Sequence, residues 1–511
     1  MKKLLALFLL LASVLCFAAC PGSQTPGSTS GATPGTTPGG QTPDGQTPDG
    51  DDGTDTGYLD RVGSHNFGGE TVTFSVLSGY AYEIYAEEEE PDDCDVQIEQ
   101  RNRRLENRFN VHIKTEYTAG DDSADHRDYI GMTAGGNNIS YDVAMVQIWL
   151  TGSLIDSDCF LDLRSELPYV RDSIGQTDWW NEGINSAFTV YGRQFVGISD
   201  INLSAIQSAG AYLFNKDMEK EYNIASGLGY ESLYDMVRKG AWTLDAVGGI
   251  VKDFCFDSST DGITGQRDEA DTYGLLSSGQ WWIDVASAAC GIHYITNDGE
   301  NTPEITPFAD FTDIITALNR LSLSDGFLMP TTTAAITKFS QGTALMAMVS
   351  LSALEDDELH ASDVSFGILP FPKADANQQE YYAGSRDSVS SLEVPTTVKN
   401  RAEMVGAVLE ALSAESHRTV LPSYYERILR SGDTGDTDAL EMIDIICAGR
   451  LYDLASLSYN ELYVDAAHDS LAHIMRYLVK SPTMVPILWE QSYPALEVRL
   501  GEIVSEYENM D

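Results

Sequence analysis

The apolar run from Ala209 to Phe214 passes without a spacer into Asn215-Lys216-Asp217-Met218-Glu219. A run this short, apolar at nearly every position and carrying a tyrosine, reads as a buried strand. Asn215 is a helix cap with acid in the turn behind it. A second helix is expected from Leu233 to Lys239, closed by Gly240, and a third starts at Trp242-Thr243-Leu244-Asp245 with Thr243 as its cap. Upstream the same grammar repeats. Glu70 to Leu77, Val111 to Tyr117 and Tyr141 to Val146 read as strands, with helical spacing over Val96 to Phe109 and Asp125 to Thr133 between them. Strand–helix–strand alternation of this kind predicts an α/β fold, and ligands of such sheets sit outside the carboxyl ends of the strands. Val190 to Gly197 is expected to form a hairpin with its glycine at the turn, and Ala402 to Ser413 an amphipathic helix.

The length, 511 residues, is enough for two or more domains of ~100–200 residues each, and 42% hydrophobic content can fill their cores. There are 78 acidic against 31 basic side chains, a net charge of −47. That excess repels nucleic acid and anionic lipid, and excludes both as partners of the folded surface. It serves solubility, with an acidic cleft for a cationic ligand as the alternative. Beyond Cys16 and Cys20, the cysteines at 94, 159, 255, 290 and 447 are widely spaced and odd in number, with no CxxC, which reads as buried or semi-buried thiols. His468 and His473 are five apart and miss the i, i+4 register of a helical metal pair.

Met1-Lys2-Lys3 followed by the apolar stretch Leu4 to Phe17 is a leader too short to span a membrane. It ends Phe17-Ala18-Ala19-Cys20, which resembles a bacterial lipobox, with Phe where Leu is usual. The resemblance makes residues 1–19 a lipoprotein signal peptide and Cys20 the lipidated first residue; ordinary cleavage near Ala19 is the alternative. Pro21 to Gly57 is Gly, Pro, Thr, Ser and Asp with almost no apolar side chain, so nothing offsets its ordering entropy. A flexible coil of about 35 residues spans roughly 30–35 Å, enough to hold a globular body clear of a membrane.

Several segments together resemble a known family. Tyr212 to Asp217, Tyr234-Asp235-Met236-Val237 and Gly240-Ala241-Trp242-Thr243 are similar to the stretch where family 1 extracellular solute-binding proteins, the maltose-binding-protein-like receptors of ABC sugar importers, first cross between lobes. Thr337 to Met348 and the return strand Val364 to Pro372 follow in the family's order. The resemblance implies a two-lobed, periplasmic-binding-protein-like α/β fold of type II with lobes joined by hinge segments. After a linker at 20–65, lobe one is expected over 66–201 with 389–430 returning to it, and lobe two over 202–388 with helices of 431–511 packing on it. It further implies a monomeric, non-enzymatic receptor, lipid-anchored on the outer face of the cell membrane, that hands a carbohydrate, on this reading an oligosaccharide, to a membrane permease. No phosphate-binding loop is present, so the ATPase belongs to another chain. A secreted glycoside hydrolase is the rival, since acids are abundant enough to supply a catalytic pair, and a glycan-binding sensor or adhesin is a third reading.

The same resemblance selects ligand candidates. Trp149 lies just past the third strand, where the family often supplies an aromatic to a sugar face; packing in the core is its other reading. Trp180, of the pair Trp179-Trp180, is assigned to the cleft although paired tryptophans are usually packing. Asp200, near the first crossing, would accept sugar hydroxyls. Trp281 and Trp282 resemble the maltose-binding group's aromatics at a helix start and are the strongest assignments. Arg386, where the chain crosses back, pairs with a ligand oxygen, with Asp200, or with neither. No cofactor is required. Asp257, Ser259, Asp261 and Asp268 fall at calcium-loop positions, but the twelfth is Asp rather than Glu, and a polar turn is the simpler reading.

Overall fold

The computed structural model describes residues 57–85, 92–117, 122–136, 139–155, 159–257, 268–331, 334–385, 388–429, 436–465 and 468–509. The leader, Cys20 and residues 21–56 lie outside the described residues, as do Arg386, Ser259 and Asp261; residues 57–65, expected to belong to the linker, are described and bury Leu59 and Val62 against the first sheet's core.

Two sheets organise the chain. The first has three parallel strands, β1 (Glu70–Val76), β2 (Val111–Tyr117) and β3 (Val143–Met145), in the order β2-β1-β3. Between β1 and β2 runs α1 (Asp93–Phe109), opened by a capping box in which Asp92 accepts from the backbone N–H groups of Cys94 and Asp95 and Asp95 returns the bond. Parallel pairing needs a crossover longer than a turn, and this helix supplies it.

The second sheet is built from β4 (Gly210–Asn215), β5 (Cys255–Phe256), β6 (Thr272–Ser277), β7 (Phe327–Leu328), β8 (Ala344–Ser350) and β9 (Phe366–Pro370). Its order is β9-β4-β8-β6, and the outer edge of β6 is shared by β5 and β7. All six residues of β4 are buried, as the apolar run predicts for a strand covered on both faces. Asn215 accepts from the backbone N–H of Met218, and Thr243 from that of Ala246, so both predicted caps form. Between them, α2 (Leu233–Arg238) is capped by Ser232.

Three segments join the sheets. The first runs from Ser199 through the short helix Leu203–Gln207 into β4. The second passes through β10 (Ala383–Gly384), and residues after it bridge antiparallel to the region of the first sheet at Gln147–Ser390, Gly197–Leu392 and Ala144–Glu393. The third leaves α4 (Ala402–Glu415) through a π-helical turn, Ser416–Val420, into α5 (Leu421–Leu429). The chain then packs α6 (Thr437–Ala448) on β9, and β11 (Arg450–Leu451) pairs parallel with β10.

Buried side chains fasten these segments. Glu83 accepts from the backbone N–H of Ser204 on the first crossing (2.7 Å) and from the Ser390 hydroxyl on the second (2.5 Å). Full burial pushes its carboxyl up to about 7. Glu393 holds the Ser391 hydroxyl at 2.5 Å and is pushed up to about 8 for the same reason.

One local expectation is met only at its turn and another fails. Val190 to Gly197 closes the expected turn with Gly192 in it but forms no ladder beyond it. Val190 bridges Arg193 around Tyr191 and Gly192, both at positive φ, and Gly197 pairs instead with Leu392 of the second crossing. Helix α4 is not amphipathic in its burial, because every residue from Met404 to Glu415 is buried. It lies between α1 and the short helices around Val170–Asp172 and Asp178–Trp180, so it has no solvent face.

Candidate functional site

At the end of β3 the chain turns into a short 3₁₀ helix, Ile148–Leu150, which sets Trp149 at the carboxyl end of the first sheet. Opposite it, α3 (Trp281–Ala289) begins directly after Ser278-Gly279-Gln280. Helical geometry puts residues i, i+3, i+4 and i+7 on one face. Trp281, Asp284, Val285 and Ala288 form that stripe, and all four line connected hollows.

The larger hollow has a volume of about 320 Å³. Trp149 and Trp281 form its aromatic walls, Ser385 and Ser388 of the second crossing its floor, and Tyr459, His473 and Arg476 of the C-terminal region its third side. A smaller recess of about 50 Å³ opens beside it, sharing Asp284, Ser385 and His473 and reaching Asp453. The hollow therefore draws on both sheets, a crossing segment and the C-terminal helices.

Its polar groups are held in place. Trp149 donates its indole N–H to Gln147 (3.0 Å), Gln147 donates to the Tyr80 hydroxyl (2.7 Å), and Tyr80 donates to the backbone carbonyl of Ser388 (2.9 Å). The Trp149 ring meets Tyr459 edge-on at 5.7 Å, and Tyr459 in turn meets His473 at 5.1 Å. Arg476 donates to Asp284 through Nε at 2.6 Å, with Nη2 at 2.5 Å. This pair is half-buried and charge-balanced, so the wall offers donors and acceptors without net charge. In the recess, Asp453 accepts from the backbone N–H groups of Ala455 and Ile295, and burial raises its carboxyl above the ordinary range. Indole faces beside a neutral donor–acceptor wall suit an uncharged ligand with apolar C–H faces and many hydroxyls.

No protein-family model matches the chain, and no curated protein matches it in sequence. Solved structures do match. The cyclic α-maltosyl-1,6-maltose binding protein of Arthrobacter globiformis aligns with a TM-score of 0.51 at 13% identity, covering 85% of this chain and 99% of that one. Apo RafE of Streptococcus pneumoniae aligns at 0.51 with 13% identity, over 84% of this chain and 98% of that one. A cyclo/maltodextrin-binding protein complexed with maltotetraose aligns at 0.51 with 10% identity, over 84% and 97%. The fold is that of the solute-binding proteins.

Within this solute-binding-protein fold the predicted ligand residues separate. Trp149 and Trp281 are half-buried and share one hollow. Trp282, at 1% exposure, packs against Phe327 at 5.4 Å and belongs to the core. It is 100° around the helix from Trp281, so the two cannot share a face. Trp180 is fully buried and donates its indole N–H to Glu410 (2.9 Å). Asp200 is buried and turned from the cleft: His417 meets one oxygen at 2.7 Å, and Arg450 donates to the other at 3.4 Å. Arg386 lies outside the described residues. Of the calcium-loop positions only Asp257 and Asp268 are described, and no group of three or more His, Cys, Asp or Glu side chains able to hold a metal occurs among the described residues. No described helix is long and apolar enough to cross a membrane. Cys94 and Cys447 are buried thiols, raised to about 12 and about 11 by desolvation.

Sequence reasoning missed Gln147, Asp284, Tyr459, His473 and Arg476. The i, i+3, i+4 spacing from Trp281 was a usable signal for Asp284. Nothing local marks the C-terminal three, which reach the cleft only through the return of the chain after β11.

Proposed function

We propose that this chain is a solute-binding receptor that captures a neutral carbohydrate, an oligosaccharide by preference, outside the cell and passes it to an ABC importer permease. It performs no catalysis of its own. The observation that carries the reading is the hollow shared by both lobes, with Trp149 and Trp281 as its aromatic walls and the neutral Arg476–Asp284 pair between them. Structural neighbours support it: one is a cyclic α-maltosyl-1,6-maltose binding protein and another is complexed with maltotetraose. Lobe one is taken as residues 66–201 with 389–430, and lobe two as 202–388 with 431–511. A ligand touching both favours a closed arrangement by its differential affinity for that state. Cys20 carries the lipid anchor on this reading, and the Gly/Pro/Thr/Asp segment is the leash to the outer face of the membrane.

Isothermal titration of the purified protein against a glycan panel, with product analysis of the same mixtures, tests this. Saturable binding of at least one oligosaccharide without new products is expected. Sugar turnover would make the chain an enzyme, and no saturable binding to any glycan would remove carbohydrate as the solute.

A further inference from the structure

A second hollow, of about 620 Å³, lies on the far side of the β10–β11 ladder from the cleft. Leu451 of that ladder lines both the cleft recess and this hollow, so the two are back to back across one strand pair. Gly183, the ends of α2 and α6, and the segment carrying Lys373 and Tyr381 form its walls, and two carboxylates, Glu380 and Glu441, also line it.

Lys373 reaches into this hollow. The residue is 4% exposed. Its ammonium sits 5.1 Å from the centre of the Tyr381 ring and beside Gly240, where a Cβ would stand 2.9 Å from Nζ. Gly240 is at φ +66°, so the backbone there leaves the space open. Among the described residues the Lys373 ammonium makes no hydrogen bond, although the Asp375 carboxylate lies within its field. The ring satisfies part of its charge but none of its three N–H donors. The stem is buried while the ammonium opens onto the hollow, where its donors are free to meet a ligand.

The other cations around the hollow are committed. Arg238 pairs with Asp438 and Glu441, and Arg450 donates to the Cys447 carbonyl and to Asp200. Lys373 is therefore the cation lining this hollow that makes no hydrogen bond or close ion pair among the described residues. Apolar surface from Val237, Ile445 and the Tyr382 ring surrounds it. We propose that this hollow is a second ligand site, distinct from the sugar cleft, which takes a small organic oxyanion, a carboxylate or phosphate monoester on an apolar body, with its head group on Lys373. The hollow backs on the second crossing, so its occupancy is linked to the arrangement of the lobes and, reciprocally, to cleft affinity.

The test uses the full chain and two probes, benzoate and phenyl phosphate, titrated by calorimetry without sugar, so that it does not depend on the cleft's ligand. Saturable binding of one or both is expected, and which one binds tells carboxylate from phosphate. Lys373→Met, which keeps the apolar stem, should weaken binding by about tenfold or more. Lys373→Arg should retain part of it. Should Lys373→Met fail to fold, Ala448→Trp serves instead: Ala448 is exposed at the mouth of the hollow, and the indole would occupy the space without touching the core. Equal affinity in wild type and either blocked variant, or no saturable binding of either probe to the wild type, overturns the proposal.

Discussion

Two tryptophan pairs, Trp179-Trp180 and Trp281-Trp282, look alike in the sequence and are used in opposite ways. In the first pair both rings are buried and both indole nitrogens donate to one carboxylate, Glu410, at 3.1 and 2.9 Å. Glu410 also takes the Ser173 hydroxyl at 2.5 Å, which leaves the pair no polar edge to offer a ligand. In the second pair the rings part company across the helix. Trp282 enters the core, and Trp281 stays half-buried on the stripe that lines the cleft. A doubled tryptophan on a helix thus divides its labour by 100° of rotation, whereas a doubled tryptophan facing a buried acid is consumed by it.

The sharpest way to break this contrast is truncation. Trp180→Ala should destabilise the fold by about 3–5 kcal/mol, because it opens a cavity and strips a donor from Glu410. Urea unfolding monitored by circular dichroism reads this directly. A loss below about 1 kcal/mol would mean that the first pair is not framework. Glu410→Gln should cost less, about 1–3 kcal/mol, since the amide keeps one acceptor but turns a donor toward one of the indole or hydroxyl donors. Trp281→Ala should behave in the reverse sense. Stability should change by less than about 1 kcal/mol, while affinity for whichever oligosaccharide binds the wild type should fall about tenfold. Comparable stability losses in Trp180→Ala and Trp281→Ala would erase the distinction.

How much of this could be read beforehand depended on the range of the interaction. Caps are local, so Asn215 and Thr243 announced their helices from one turn away. Trp149 and Trp281, the two candidates that share a hollow, each sit beside a readable element end. The role of Trp180 was not readable, because its partner Glu410 is 230 residues downstream on a helix whose charged residues suggested a solvent face. Asp200 failed for the same reason: its partners His417 and Arg450 arrive from the third crossing and from β11. Arg476 and His473 reach the cleft from Val464 to Lys480, a stretch whose apolar residues have helical spacing. The structure instead has the short strands Tyr463–Asp465 and Asp469–Ser470 and then two short helical turns.

The smallest effect concerns pH, and it extends the contrast from tryptophans to the acids behind them. Glu410, Glu83 and Glu393 are buried without a paired cation sufficient to hold them ionised, and desolvation raises all three. Glu393 reaches about 8 in the folded chain against an ordinary 4.5. Between those values the unfolded chain has released the proton and the folded chain still holds it, so the native state binds more protons. Stability must then fall as pH rises through that window and level off on either side. Glu83, at about 7, adds to the lower part of the same slope. Glu393→Gln removes one contributor while keeping an acceptor for the Ser391 hydroxyl. Denaturation midpoints measured at about pH 5 and about pH 8 should therefore lie closer together in Glu393→Gln than in the wild type. An unchanged gap would mean that this acid is ionised in its pocket, and that the strand returning from lobe two carries a buried charge rather than a buried proton.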